Sequence, residues 1–485
     1  MSNCIVAPDT RTFERFQFTF PEQIESEHFI VHFTTSNADS QFVNEQWLNL
    51  QCNFGYAQSV IELAEYALAI FMEADWEMMP PDCDEGITDE ESPNHCNNFG
   101  GNALYDIYLA NDAVGLVAPE NPYPVEPYIG GFTSFMQVTP LGNEHTFVPD
   151  WSVHVIAHEL HHAIQIRYGT SVSGEPGNYA YNGWLYEQTS TYMENVIFPA
   201  SYHFLVMMGN CNITSPLTYP EISIDSSVDI YQYRSALWQK FLVEAYGDST
   251  INRLIWEGFG LETATGNPVN MFPIYESALQ TVTDGVTTLG DAYQDYALWR
   301  YFTGSRSRPG EFFMQAASYC TANLLAIEET SATFPSEKGG ARLVKLLPYE
   351  TNLVLASSAY DNLLVQHISF SEEDEILMSS IEVNGEESFF QLYNPAGDNH
   401  ALLITSEYTA EPGEEIEFIL ANTVPFMEGD ITGDSMVNVQ DIIVLINIIL
   451  HQIDPTDYQW LAADLDENNV VDVLDVILLV NLILG

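Results

Sequence analysis

The segment from Val155 to Gln165 reads VIAHELHHAIQ and holds the pattern H-E-x-x-H at His158, Glu159 and His162. No proline or glycine interrupts it and apolar residues flank the pattern, so we predict a buried helix. Residues four apart lie on one face of a helix, so His158 and His162 would aim two imidazoles at one point. The pattern therefore predicts a helix that carries a metal-binding pair on its face.

A histidine pair of this kind needs a third ligand, because a catalytic zinc ion usually takes three protein ligands and leaves one position for water. Glu187 is the best candidate, since it follows Trp184 and Leu185 at the start of the next helical pattern. Glu175 and Glu194 are its rivals. If Glu194 is not the third ligand, it is either an acceptor for the outer N–H of a zinc-bound imidazole or a surface glutamate.

Glu159 supplies the chemistry that two histidines lack. Zinc lowers the pKa of a bound water, and Glu159 is expected to take the water's proton and deliver it to the leaving amine. Two further histidines, His154 and His161, fall off the metal-binding face by our helical spacing, and we interpret both as packing or hydrogen-bonding residues.

The H-E-x-x-H pattern followed by Trp184-Leu185-x-Glu187 resembles the gluzincin metallopeptidases, above all the W-L-x-E-G motif of aminopeptidase-N-like members. Residues 25–305 resemble uncharacterised secreted bacterial members of that clan. The chain departs from the motif by placing Gln188 where the motif has glycine, and by a longer interval between the histidines and the glutamate.

The resemblance implies a zincin-like fold of the α+β class, one catalytic zinc ion and peptide-bond hydrolysis. It also implies that a tyrosine or histidine of a later helix stabilises the oxyanion. Tyr233 matches that position best, Tyr231 is close behind, and the possibility that neither acts stays open.

Three domains are expected: a zincin-like domain at 1–335, an all-β sandwich-like domain at 336–426 and a calcium-binding module at 427–485. Within the first, a mixed lobe at 1–150 precedes a mainly helical lobe at 151–335. The helical patterns after the metal motif are Trp184–Asn195, Tyr233–Ala245, Thr250–Phe259 and Leu289–Thr303.

The C-terminal tail repeats a calcium-loop pattern, with each copy running into an apolar helix. Oxygen ligands are predicted at the alternate positions of an EF-hand-type loop. The first loop offers Asp430, Thr432, Asp434, the Met436 carbonyl, Asn438 and Asp441, and the second offers Asp464, Asp466, Asn468, the Val470 carbonyl, Asp472 and Asp475.

Aspartate ends each loop, and Ser435 or Asn469 stands where an EF-hand has glycine. With these departures, residues 427–485 resemble dockerin type I modules. The resemblance implies two bound calcium ions and docking onto a cohesin-like scaffold, although a module of this kind can also serve only to stabilise a C-terminus.

The charge and the cysteines restrict the partners and the compartment. The 69 acidic residues against 12 basic ones give a net charge of -57, so binding to nucleic acid or an anionic membrane is not expected. Cys83 and Cys96 bracket an acidic loop and are interpreted as a disulfide, which favours an extracellular location. The pairing of Cys4, Cys52, Cys211 and Cys320 stays open, and the opening residues do not resemble a signal peptide.

The leading interpretation is a secreted zinc metallopeptidase, tethered or stabilised by a calcium-binding tail. The alternatives are a noncatalytic surface or scaffold-associated binding protein on a zincin scaffold, and a calcium-dependent adhesin that binds through its sandwich. Retention of His158, Glu159 and His162 together argues against a noncatalytic protein, which has no chemical need for the glutamate.

Overall fold

The fold is given by a computed structural model, in which the chain divides into two compact units, Met1–Asn323 and Leu324–Gly485. The residues that the structure describes are 15–43, 46–81, 83, 95–96, 101–110, 115–170, 182–263, 269–308, 310–327, 331–337, 339–347, 352–371, 375–392, 399–406, 415–422, 427–434, 436–455, 457–466, 468 and 470–484.

The first unit contains a five-stranded mixed sheet and a two-stranded hairpin. The sheet has the order β1-β2-β5-β7-β6, in which β2, β5 and β7 run parallel and the outer strands β1 and β6 run antiparallel to their neighbours. The strands are β1 Glu22–Glu25, β2 Phe29–Phe33, β3 Ser40–Val43, β4 Gln46–Asn49, β5 Tyr105–Tyr108, β6 Gly115–Pro122 and β7 Phe132–Val138.

Helices cover this sheet and form the rest of the unit. They are α1 Phe54–Glu73, α2 Val153–Tyr168, α3 Gly183–Ile197, α4 Tyr202–Gly209, α5 Tyr231–Arg234, α6 Ala236–Tyr246, α7 Ile251–Thr263, α8 Met271–Val282 and α9 Leu289–Tyr301. α2 packs against β6 and β7 on one side and against α1, α3 and α7 on others. The apolar flanks of H-E-x-x-H are therefore buried all round, and α2 is a fixed support for the side chains that it carries.

The second unit begins with a β-sandwich. Its sheets have the orders β13-β12-β15-β10-β8 and β14-β11-β16-β9, and one apolar core contains side chains from both, as the sandwich interpretation expects. The strands are β8 Leu325–Ala326, β9 Ser331–Glu337, β10 Ala341–Leu346, β11 Asn352–Ala356, β12 Leu363–Phe370, β13 Leu377–Ile381, β14 Glu387–Gln391, β15 Asn399–Ser406 and β16 Glu415–Asn422.

Three short helices complete the second unit: α10 Val439–Ile449, α11 Asp457–Ala463 and α12 Val473–Leu484. They share a small core of Ile431, Leu445, Ile448, Ala462, Ala463 and Leu479. Many other apolar side chains of α10 and α12 stay exposed, among them Ile443 at 55% and Ile477 at 54%.

Two expectations about boundaries differ from the structure. The first unit ends at Asn323, before the predicted boundary at 335, because β8 and β9 pair within the sheets of the sandwich. The helix predicted at Tyr233–Ala245 is interrupted at Ser235, whose hydroxyl lies 2.9 Å from the Gln188 amide nitrogen. Across the described residues, no helix combines the length and apolar character needed to cross a membrane.

Candidate metal centre

Two adjacent helices bring three predicted metal ligands together. His158 and His162 lie one turn apart on α2, and Glu187 lies on α3, which packs directly against α2. All three side chains are buried, with 4%, 0% and 6% exposure respectively. Burial of two imidazoles and a carboxylate at one point is costly unless they share a partner of complementary charge.

The separations of the ligand atoms fit a metal ion. Glu187 Oε2 lies 3.1 Å from His158 Nε2 and 3.4 Å from His162 Nε2. Ligands of a tetrahedral zinc ion, each about 2.0–2.1 Å from the metal, stand about 3.3 Å apart. His162 Nε2 is buried and has no hydrogen-bond partner among the described residues. A cation at the centre of the three atoms would satisfy it.

The outer nitrogens of both imidazoles are fixed by hydrogen bonds. His158 Nδ1 lies 2.7 Å from Glu194 Oε1, and His162 Nδ1 lies 2.7 Å from Gln165 Oε1. The Ser190 hydroxyl is 3.1 Å from the same His162 nitrogen. Acceptors at Nδ1 favour a proton on that nitrogen, which would make each Nε2 available to a metal ion.

The carboxylates of this cluster are held in their charged form. Burial acts to raise the pKa of Glu187, but His162 and His158 outweigh it, so the pKa lies below its ordinary value. Burial likewise opposes ionisation of Glu194, yet His203 and His158 hold its pKa well below the usual range. Both glutamates are therefore anionic at neutral pH, as metal binding and acceptance of an imidazole N–H require.

Glu159 lies beside the cluster on α2 and is 1% exposed. Its side chain packs against the backbone of Gly115 at the start of β6, where a Cβ atom would stand 2.6 Å from Glu159 Oε1. Glycine at this position lets the strand approach the carboxylate closely. No sequence pattern indicated this contact, since the two residues are far apart in the chain.

The structure distinguishes the two candidate tyrosines. The ring of Tyr233 stacks on His158 with a centroid separation of 6.0 Å, and the residue is half-buried. Tyr231 is 1% exposed, and its hydroxyl donates to the Ile222 carbonyl at 3.4 Å. Gln188, the departure from the gluzincin motif, contacts Ser235 and so links α3 to the helix of Tyr233.

His154 lies four residues before His158 and therefore on the same face of α2, contrary to our spacing argument, although it packs on a neighbouring ring as predicted. His154 belongs to a cluster with Glu194 and His203 of α4. His161 also packs as predicted: it is fully buried and stacks on Phe71 at 5.3 Å.

Sequence reasoning also missed the contacts of Gln165, Ser190 and His203. The helical spacing from His162 to Gln165 is the one signal that could have found a member of this set. The rival ligand Glu175 lies outside the described residues. So do Ser435 and Asn469, the residues that stand where an EF-hand loop has glycine.

In each of the two C-terminal loops, buried carboxylates accept hydrogen bonds from backbone amides of the loop. Asp430 Oδ1 accepts from the Gly433 and Asp434 amides at 2.9 and 3.1 Å, and Asp441 Oδ1 accepts from the Thr432 amide at 2.8 Å. In the second loop, ligand oxygens of Asp464, Asp466 and Asp475 lie within 4.8 Å of one another. Oxygen donors at this spacing suit a calcium ion.

Two disulfides join cysteines of the first unit. Cys83 pairs with Cys96, as predicted, and Cys211 pairs with Cys320, a pairing that the sequence left open. Cys52 is a buried thiol. Cys4 and most of the acidic loop 84–95 lie outside the part of the chain that the structure describes.

Comparison with known proteins gives one match in each unit. Residues 146–276 match a family of unknown function (DUF6055), so the peptidase interpretation stays a prediction. No curated protein matches the chain. Residues 428–484 match the dockerin type I domain. Dockerin type I domains bind calcium, imply a cohesin partner and are typical of extracellular proteins. The chain therefore carries a dockerin type I domain at its C-terminus.

Proposed function

We propose that the first unit is a zinc-dependent metallopeptidase, with His158, His162 and Glu187 as the zinc ligands. The observation that carries this proposal is the pair of 3.1 and 3.4 Å separations between Glu187 Oε2 and the two imidazole nitrogens. They match the spacing of tetrahedral zinc ligands without rearrangement of the helices. Bound zinc would supply a Lewis acid that makes water more acidic and polarises the scissile carbonyl.

Glu159 is the general base in this proposal. It directly follows the ligand His158, it is buried, and the close approach of Gly115 restricts its carboxylate. A carboxylate in that place takes a proton from the attacking water and passes it to the leaving amine. Tyr233 is the proposed oxyanion donor, since its ring stacks on the proposed zinc ligand His158.

A peptide substrate is favoured by the strand that borders Glu159. β6 is the last strand of its sheet, and β7 is its one neighbour among the described strands. Pro119 and Pro122 lie in this strand, and proline is accepted at sheet edges. An extended peptide pairing with this edge would run past Glu159 and bring a backbone carbonyl to the metal centre.

The dockerin domain indicates where the proposed peptidase would be held. Docking onto a cohesin would hold the peptidase on a scaffold or surface and raise its effective concentration near substrates held there. The exposed apolar residues of α10 and α12 are consistent with binding a partner rather than only stabilising the C-terminus.

Metal content and casein hydrolysis on the same samples test the proposal. In excess calcium, the wild type is expected to hold a zinc ion at His158, His162 and Glu187, so at least about one zinc ion per chain. Glu159→Gln should keep its zinc content and lose about 10²–10⁴-fold in kcat, whereas Glu187→Gln should lose activity together with about one zinc ion per chain. Glu65→Gln, which alters the contact of Glu65 on α1 with His28, is the matched control and should change neither zinc content nor activity.

Two results would overturn the proposal. One is a wild type that has neither zinc nor hydrolytic activity, which would favour the binding-protein or adhesin alternative. The other is hydrolysis that survives both chelation and Glu159→Gln.

A further inference from the structure

A second group of metal-ligating side chains lies next to the proposed zinc ligands. His154 of α2, Glu194 of α3 and His203 of α4 place their ligand atoms within 4.8 Å of one another. Glu194 Oε2 is 2.6 Å from His203 Nδ1, and the His154 and His203 rings stack with centroids 4.1 Å apart. Three helices thus converge on one small polar cluster.

The group has an unsatisfied nitrogen and a path to solvent. His154 Nδ1 is buried and has no hydrogen-bond partner among the residues that the structure describes. The Glu194 side chain is 2% exposed, whereas that of His203 is 35% exposed. An ion could therefore reach the group past His203.

The charges and donor types suit a borderline divalent cation. Burial is the main reason why the pKa of His154 is lowered to about 4, so this imidazole is neutral and its lone pairs are available. Glu194 supplies a negative charge. Two imidazoles and one carboxylate are donors that zinc, cobalt and nickel accept, and calcium and magnesium do not favour.

We propose that His154, Glu194 and His203 form a second transition-metal site. Glu194 is common to both sites, because its other carboxylate oxygen contacts the proposed zinc ligand His158. The proton that His203 and Glu194 share across their 2.6 Å contact would leave to solvent when both groups hold an ion. Glu194 Oε1 keeps its contact with His158 Nδ1.

The shared carboxylate couples the two sites. A cation on Oε2 withdraws negative charge from Oε1, so Glu194 becomes a weaker acceptor for the His158 N–H. His158 then becomes a weaker ligand. Filling the second site is therefore expected to lower the affinity of the first by about tenfold.

Cobalt titration of the metal-free full-length protein in excess calcium tests this inference. Calcium keeps the dockerin loops filled, and cobalt bound tetrahedrally by imidazoles absorbs visible light strongly. The wild type is expected to bind about two cobalt ions with visible absorption. His203→Gln and His154→Gln should each retain about one. Circular dichroism checks that both variants are folded.

Further variants separate this inference from the proposed function. Glu187→Gln should lose the first ion and keep the second, so failure of the zinc proposal leaves the second site measurable. His28→Gln is the matched control, because His28 Nδ1 lies 2.8 Å from Glu65 Oε2 in a histidine–glutamate pair outside both groups. It should bind as the wild type does. A wild type with one absorbing ion, or folded His154→Gln and His203→Gln variants that still bind two, would overturn the inference.

Discussion

Gly115 lies so close to Glu159 that a Cβ atom at position 115 would stand 2.6 Å from the carboxylate oxygen and 2.8 Å from its carbon. The atoms in the way belong to the end of a flexible side chain, so the fold can accommodate a methyl group by moving Glu159. The edge strand β6 thereby limits where the proposed general base can lie.

We expect Gly115→Ala to displace Glu159 and lower kcat by at least about tenfold, while zinc content stays unchanged. Kinetics on casein and metal analysis of the same samples measure this. Gly183→Ala is the control, because a Cβ there meets no atom within 4 Å. Full activity of Gly115→Ala would remove the argument that this contact positions Glu159.

Tyr233→Phe is expected to reduce kcat by about 10²–10³-fold, because it deletes the proposed oxyanion donor. The ring that stacks on His158 remains, so zinc binding should persist. Tyr231→Phe loses the contact with the Ile222 carbonyl and should keep nearly normal kcat. The opposite order of the two kcat values would make Tyr231 the donor.

Gln165→Met removes the acceptor that lies 2.7 Å from His162 Nδ1. Loss of such an acceptor is expected to weaken zinc binding by about 10–100-fold, and activity should return when zinc is added. Competition with a zinc chelator gives the affinity. Gln239→Met replaces another fully buried glutamine, one that contacts Gln188 and Tyr275, and should leave the affinity unchanged.

The stability of the first unit should fall in acid partly through His154. Its pKa is about 4 in the folded chain and 6.5 ordinarily, because burial, together with His203 and His158, outweighs the opposite effect of Glu194. Between these values the unfolded chain binds the extra proton, so stability is present above about 6.5 and is lost as the pH falls towards about 4.

Thermal unfolding in a metal chelator measures this contribution. Between pH 6.5 and pH 4, the Tm of His154→Gln should fall by less than the Tm of the wild type. The difference between the two chains reports His154 together with its electrostatic interactions with Glu194, His203 and His158. Parallel Tm curves would mean that His154 does not resist protonation in the folded state.

Removal of calcium is expected to unfold the dockerin domain, because its core is small and the fully or almost fully buried Asp430, Asp441 and Asp475 would lose their counterion. Limited proteolysis with and without a calcium chelator should show new cleavage within 427–485. Asp475→Asn should lower the calcium affinity of the second loop by at least about tenfold, whereas the exposed Asp454→Asn should not. Resistance to proteolysis without calcium would contradict the prediction.

Patterns local in sequence were sufficient for several features of this protein. The spacing of His158 and His162 placed two imidazoles on one helix face, and the repeated loops ended at the buried Asp441 and Asp475. Each follows from the period of a helix or the geometry of a short loop, which nearby residues determine by themselves. Glu187 was identified by its aromatic-apolar context, not by geometry.

The tertiary structure decided which distant groups meet. The packing of α2, α3 and α4 brings Glu194 between His158 and His203, and the sheet brings Gly115 against Glu159. These contacts depend on how helices and strands pack, and packing is set by the combined burial of many apolar side chains rather than by any short pattern. The sequence therefore determined the metal-ligand types and their local spacing. Only the fold decided their hydrogen-bond partners and the second histidine–glutamate cluster, because both depend on contacts between separate elements.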